Sequence, residues 1–238
     1  MDLSLFSKAG PEFLFAWFHF LAGITWIGLL YYFNLVQVPF MAEAPAEAKP
    51  GITRMLVPRA LWWFRWGAVF TLLSGLAIIL YRMAIAGASI MSTSWGVGIS
   101  LGALLGTVMF LNVWLVIWPK QKVVIASANA VAGGGQADPK AADAAARAFL
   151  ASRTNVLFSI PMLFFMGNHR LVFFSGEPKM SIGVPLGICT AITALVEANA
   201  LWGKKGQGAA KMLDKHVAVI HIGLVLAFVF YFLVDGLL

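Results

Sequence analysis

Six blocks of the sequence are apolar over enough residues to cross a lipid bilayer, and this constrains the fold more than any other feature. A helix needs about 20 apolar residues to span a hydrocarbon core of about 30 Å. Backbone groups in lipid must form their hydrogen bonds within one segment, and the alternation typical of barrel strands is absent. The pattern predicts an all-α, polytopic membrane bundle in a single domain, residues 1–238. Its six transmembrane helices are expected at residues 13–36, 61–84, 96–118, 149–174, 182–202 and 216–237.

The composition also indicates a chain that lies mostly in lipid. Hydrophobic residues make up 61% of the sequence and charged residues 11%, whereas soluble domains carry about 25% charged residues. The single cysteine, Cys189, excludes an internal disulfide, and no CxxCH motif for covalent haem attachment occurs. Phosphate loops, Rossmann glycines and HExxH motifs are absent as well. Any chemistry must therefore come from side chains of the bundle itself.

The positive charges are distributed unevenly along the chain. Of the 17 lysines and arginines, 13 lie in or beside the connections between spans one and two, three and four, and five and six. The positive-inside rule then predicts that these connections are cytoplasmic and that both termini lie outside. We therefore interpret the net charge of +7 as a topology signal in a bacterial inner-membrane protein and not as a nucleic-acid surface.

The prolines and one connection suggest where helices end. We expect span one to stop before Pro39 and span three to end at Pro119, because proline lacks an N–H donor. Residues 119–148 would then form a cytoplasmic loop. Within it, Asp138 suits a helix N-cap and Pro139 a first helical position, which predicts a short helix leading into span four.

Two histidines are expected at the same depth in the membrane. His19 lies about 10 Å from the outer end of span one, and His169 about 8 Å from the outer end of span four, at 1.5 Å per residue. Intramembrane histidines are costly unless they are paired or ligated. The iron of a haem b can bind two imidazole nitrogens that lie at the same depth. Both histidines are therefore candidate iron ligands. The alternative is that each bonds to a neighbouring helix.

Four further residues are candidates for contacts with that haem. Gly102 belongs to a ridge of glycines in span three that permits a flat ring to approach closely. Arg82, Arg170 and Lys179 lie on the outer side, where haem propionates would emerge. The ordinary alternatives are small-residue helix packing for the glycine and interfacial snorkelling for the three basic residues.

A second polar pair is expected near the cytoplasmic side. Glu197 in span five and His221 in span six lie at similar depths, about five and six residues from that side. A buried carboxylate beside an imidazole suits proton handling or a polar substrate pocket, so both are candidate catalytic residues. A structural ion pair between helices is the alternative interpretation.

Several motifs resemble the membrane domain of the bacterial urate oxidase (urate hydroxylase) family. They are WFHFLAGITWIGLLYYFNLVQVPFM at 17–41, RALWWFRWGAVFTLLSGL at 59–76, NVWLVIWPKQK at 112–122 and SRTNVLFSIPMLFFMGNHR at 152–170. The similarity covers roughly residues 13–170 and fades through spans five and six. Both His19 and His169 lie inside the matching motifs.

The resemblance implies a membrane oxidoreductase that converts urate to 5-hydroxyisourate and passes electrons to a cytochrome c. Relatives of that kind carry a C-terminal cytochrome c domain, whereas this sequence has no CxxCH. A separate cytochrome c or a respiratory complex is therefore the expected partner, besides membrane lipid. Two other functions stay open from the sequence: a non-redox transporter, and an accessory membrane subunit of a respiratory complex.

Overall fold

The fold consists of six long helices. The computed structural model describes residue 7 and residues 9–167, 172–174, 178 and 180–238. All six helices are long and apolar enough to cross a membrane, and the described residues contain no strand. The chain is therefore an all-α, multi-pass membrane protein, as predicted. The helices are α1 (Ala9–Glu43), α2 (Ala48–Ala86), α3 (Ser94–Ala132), α4 (Ala141–Met166), α5 (Gly183–Trp202) and α6 (His216–Leu237).

Consecutive helices run in opposite directions, as contacts between their ends show. Arg82, near the end of α2, bonds to Glu12 near the start of α1. Arg147, near the start of α4, donates to the carbonyl of Ala200 near the end of α5 at 2.6 Å. The bundle thus has two ends. We call the end where α1, α3 and α5 begin the His19 end, and the end where α2, α4 and α6 begin the basic end.

Helix α4 lies at the centre of the bundle. In its most apolar window 67% of the residues are buried, compared with 39% or less in the other five helices. It contacts α3 and α6 most extensively and also touches α1 and α5. Its buried side chains include polar ones, namely Arg153, Thr154, Asn155 and Ser159. The protein interior is therefore partly polar, although the surface that faces lipid is apolar.

Helix α4 begins before the span predicted at residues 149–174 and also ends before it. Helix α4 begins at Ala141, where Asp138 Oδ1 accepts the N–H of Lys140 at 2.8 Å just before the helix. The predicted short helix is thus the first part of α4 itself. At the other end α4 stops at Met166, and Gly167 bonds to the carbonyl of Leu163.

Prolines do not end α1 and α3, contrary to the prediction. Helix α1 continues for about one turn beyond Pro39, and α3 for more than three turns beyond Pro119. The connection after α3 therefore spans only residues 133–140. A proline ring removes one N–H and clashes with the carbonyl four residues earlier. Here a wide, π-type turn contains that carbonyl and relieves the clash. Three such turns occur, Tyr32–Gln37 before Pro39, Ile52–Leu56 before Pro58 and Asn112–Ile117 before Pro119.

A close contact joins α4 to α6. Pro161 lies inside α4, so the carbonyl of Leu157 has no helical N–H partner. Gly223 of α6 packs against this carbonyl. A Cβ added at position 223 would lie 2.8 Å from Leu157 O and 2.6 Å from Ile160 Cδ1. Glycine is therefore required where α6 meets the proline-containing segment of α4.

Replacement of Gly223 by alanine should destabilise the bundle. The added methyl group would push α6 away from a backbone carbonyl that cannot move easily, at a cost of about 1–3 kcal/mol. We expect the unfolding temperature in detergent to fall by several degrees. Gly187→Ala is the matched control, because a Cβ at that position meets no atom within 4 Å. Equal melting temperatures for the two variants would contradict this packing.

Candidate functional site

His19 is held in one orientation between α1 and α2. Its Nδ1 lies 3.1 Å from Ser74 Oγ, and the ring rests on Gly75, where a Cβ would lie 3.0 Å from His19 Cε1. The Ser74 hydroxyl donates its own proton to the carbonyl of Phe70 at 2.6 Å. With its own proton on that carbonyl, Ser74 Oγ is placed to accept a hydrogen bond from Nδ1–H. The backbone of Thr71 also bonds to the His19 ring. Neutral His19 thus carries its proton on Nδ1 and its lone pair on Nε2.

This arrangement is the one that metal-ligating histidines usually have. Such a histidine donates its second ring N–H to a fixed acceptor, which sets both the tautomer and the ring orientation. The described side-chain partner of His19, Ser74, lies on the Nδ1 side of the ring. The described part of the chain contains no cluster of three or more potential metal-ligating side chains. A site with two axial histidines would need only one further ligand.

The other residues predicted around the haem fall into two groups. His169, Arg170 and Lys179 lie outside the described residues, so the matching depth of His19 and His169 stays a prediction. The described helix α4 ends at Met166, three residues before His169.

Arg82 and Gly102 are described, and both have partners. Arg82 Nη2 lies 2.6 Å from Glu12 Oε1, and its guanidinium lies 4.3 Å from the centre of the Trp95 ring. The charge of Arg82 is therefore already balanced. Gly102 faces α4, where a Cβ would lie 3.1 Å from the side chain of Met166. A flat ring could reach Gly102 only if Met166 changed its rotamer.

A second polar cluster joins α3, α4 and α5 nearer the basic end. Asn112 Nδ2 lies 2.9 Å from both Glu197 Oε2 and Asn155 Oδ1. Asn155 Nδ2 in turn donates to the carbonyl of Met109 at 3.0 Å. Glu197 Oε1 is buried and has no hydrogen-bond partner among the described residues. The carboxyl group thus has one oxygen bound and one available for a proton or a water.

The expected pairing of Glu197 with His221 is not seen. His221 is exposed, and its Nδ1 lies 2.8 Å from the carbonyl of Val217 in its own helix. The buried face of α6 is formed by Val219, Gly223, Leu226 and Phe230. Residue 221 is about 200° around the helix from both Val219 and Gly223, so its side chain points away from the core. Similar depth did not bring the two residues together.

A cavity of ≈ 320 Å³ lies near the basic end and was not predicted. It is bounded by α1 to α4 and by Lys205 of the α5–α6 connection. The three wide turns surround it, because residues in or directly beside each of them form its wall. Its polar wall residues are Asn34, Gln37, Gln121, Ser152 and Lys205, and its aromatic ones are Phe33, Phe64 and Phe149.

Arg153 was also missed as a buried residue, because the sequence places it among loop-flanking basic residues. It is only 2% exposed, and its Nε and Nη1 have no hydrogen-bond partner among the described residues. Its guanidinium lies 5.0 Å from the centre of the Phe149 ring. Asp214, which precedes α6, is the acidic group that acts on it electrostatically. Arg153 is therefore a buried charge next to a cavity residue, and the negative charge of Asp214 offsets it.

Comparison with known protein families gives one match. The model of a family described as urate oxidase N-terminal matches residues 79–230, which is more than half of the chain. The match runs through α5 and most of α6, where the resemblance seen in the sequence fades, and it begins after the matching motifs of α1. Comparisons with curated proteins and with solved structures return no match.

Proposed function

Because the chain belongs to the urate oxidase N-terminal family, a family related to urate oxidation, we propose that it is a membrane-embedded redox protein. In this proposal it holds a haem b at the His19 end, oxidises urate to 5-hydroxyisourate and passes the electrons to a separate cytochrome c. The observation that carries the proposal is the geometry of His19. A histidine whose Nδ1–H bonds to Ser74 has its lone pair on Nε2, the atom that would ligate the iron.

His19 and His169 are the residues proposed to hold the haem iron. Arg170 and Lys179 are proposed to neutralise the haem propionates, with Arg82 contributing only if it is shared with Glu12. A bound haem would supply one-electron redox chemistry. Such a site needs no open coordination position, because the protein has only to accept and release electrons.

The overall reaction releases two electrons and two protons. Urate and water give 5-hydroxyisourate, two protons and two electrons, so two one-electron acceptors are needed for each urate. Glu197 is the proposed acceptor of one proton. Its Oε1 is buried without a partner, and Asn112 holds Oε2 in place. A carboxyl group with one free oxygen can take up and release a proton without breaking its anchoring bond.

The membrane orientation is part of the proposal. The basic residues are concentrated at the basic end, which by the positive-inside rule faces the cytoplasm of a bacterium. The His19 end would then face the compartment where a soluble cytochrome c can dock. An alkaline phosphatase fused after Leu238 should be active in cells, and a green fluorescent protein at the same position should be dark. The reverse pattern would contradict this orientation.

Loss of either proposed ligand should abolish the haem spectrum. Purified protein is expected to show the α band of a b-type cytochrome in the reduced-minus-oxidised spectrum. His19→Ala and His169→Ala should each remove that band, because a low-spin haem needs both axial nitrogens. His216→Ala and His221→Ala are matched controls in α6 and should retain it. Wild-type protein without a b-type band, after purification with haem supplied during growth, would refute the haem assignment.

The proposed role of Glu197 can be tested separately. Glu197→Gln should keep the bond to Asn112 and the haem spectrum, yet slow the reduction of the haem by urate by about 100-fold, because a positioned proton acceptor contributes on that order. The dependence of this reduction rate on pH should also become flatter. Glu43→Gln, at an exposed position at the end of α1, is the control. Unchanged rate and pH dependence in Glu197→Gln would exclude this role.

A further inference from the structure

The cavity near the basic end has walls that suit a small planar ligand. Aromatic rings line it from three helices, with Phe33 of α1 and Phe64 of α2 packed edge to face, their centres 5.5 Å apart. Phe149 of α4 lines another part of the wall. Aromatic side chains provide flat apolar surface against which a heterocycle can stack.

The polar groups of the cavity combine donors and acceptors. Asn34 is 1% exposed, and its Nδ2 donates to the carbonyl of Leu30 and to Ser152 Oγ, each at 2.8 Å. These bonds fix the amide and leave Oδ1 without a partner among the described residues. Gln37 Oε1 is buried and also has no partner there. Side-chain amides can both donate and accept. Such a wall complements a ring whose edge alternates N–H and C=O groups.

The cavity is also electropositive. Lys205 contributes to its wall, and the Lys205 ammonium lies 4.2 Å from the centre of the Phe149 ring. The guanidinium of Arg153 lies near the same ring, but Asp214 offsets its charge, so Lys205 is the charge that faces the ligand. The cavity residues include no aspartate or glutamate. The ligand that fits is therefore anionic as well as planar and rich in amide groups.

We propose that this cavity binds the oxopurine substrate, urate, as its monoanion. Asn34, Gln37 and Gln121 would bond to the N–H and C=O edges of the rings, and Lys205 would balance the charge. This inference rests on the proposed function, since it assigns the substrate site of that reaction. Asn34 lies 15 residues after His19, about 22 Å along α1. The proposed substrate site is therefore separate from the proposed haem site. Glu197 is not among its wall residues, so a proton would reach Glu197 by a relay and not by direct contact with the substrate.

Equilibrium binding of urate to the purified full-length chain in detergent tests the site. Gln37→Leu and Lys205→Gln should each weaken binding by about tenfold, which corresponds to the loss of one hydrogen bond to a charged ligand. Gln136→Leu and Lys204→Gln are matched controls at exposed positions outside the cavity and should bind as the wild type does. His19→Ala should also bind urate with unchanged affinity, because it alters only the other end of the bundle.

The outcomes separate the site from the proposed function. A normal b-type spectrum in Gln37→Leu and Lys205→Gln, together with weakened urate binding, supports the site. Wild-type affinity in both variants, or no urate binding by a wild-type protein with a normal haem spectrum, overturns it. The wild-type protein could also lack the haem band and still bind urate in a way that depends on Gln37 and Lys205. That result overturns the redox proposal alone. Lys205 lies in an exposed connection, so that variant reports on binding even if Gln37→Leu folds poorly.

Discussion

The packing of α4 against its neighbours is the interaction on which the rest of the structure depends. In lipid, helices gain little from hydrophobic association, so close backbone approach and buried polar bonds hold them together. Here Gly223 lets α6 approach the segment of α4 that contains Pro161. On the other side, Asn155 of α4 bonds to Asn112 and to the carbonyl of Met109 in α3. Glu197 attaches α5 to the same cluster through Asn112.

The three wide turns provide the second constraint. Each one accommodates a proline, and together they surround a polar cavity near the basic end of an otherwise apolar bundle. Their backbone departs from the regular helical pattern inside an apolar bundle, where such departures are costly. Turns of this π type occur often at functional sites. In our account the same feature that lets helices continue past proline also creates room for a substrate. The haem that we propose would lie at the opposite end, beside His19.

The number of spans and their order could be predicted from the sequence, because length and hydropathy alone decide which segments cross a bilayer. The face of the helix on which each side chain lies could not be predicted in this way. Counting residues gives the depth of a side chain but not the face of the helix on which it lies. For this reason Glu197 was matched with His221, whereas the structure joins it to Asn112. The apolar stripe of α6 through Val219, Gly223 and Leu226 contained the information needed to place His221 outside.

Other features depend on backbone adjustments that a single sequence does not reveal. The sequence predicts helix ends at Pro39 and Pro119. In the structure, wide turns let α1 and α3 continue beyond these prolines. The cavity follows from these turns, so neither its existence nor its lining was predicted. The orientation of His19 likewise depends on Ser74, a partner 55 residues away on another helix. Arg153 resembled a loop-flanking charge, although it is buried in the centre of the bundle.

The central claim is that urate delivers electrons to a haem held by this bundle. It can be tested by adding urate without oxygen to the oxidised, purified protein and recording its visible spectrum. Our account predicts that the α band of a reduced b-type haem develops with urate. The band should not develop with buffer alone. A haem that dithionite reduces fully but that stays oxidised with saturating urate would contradict the account.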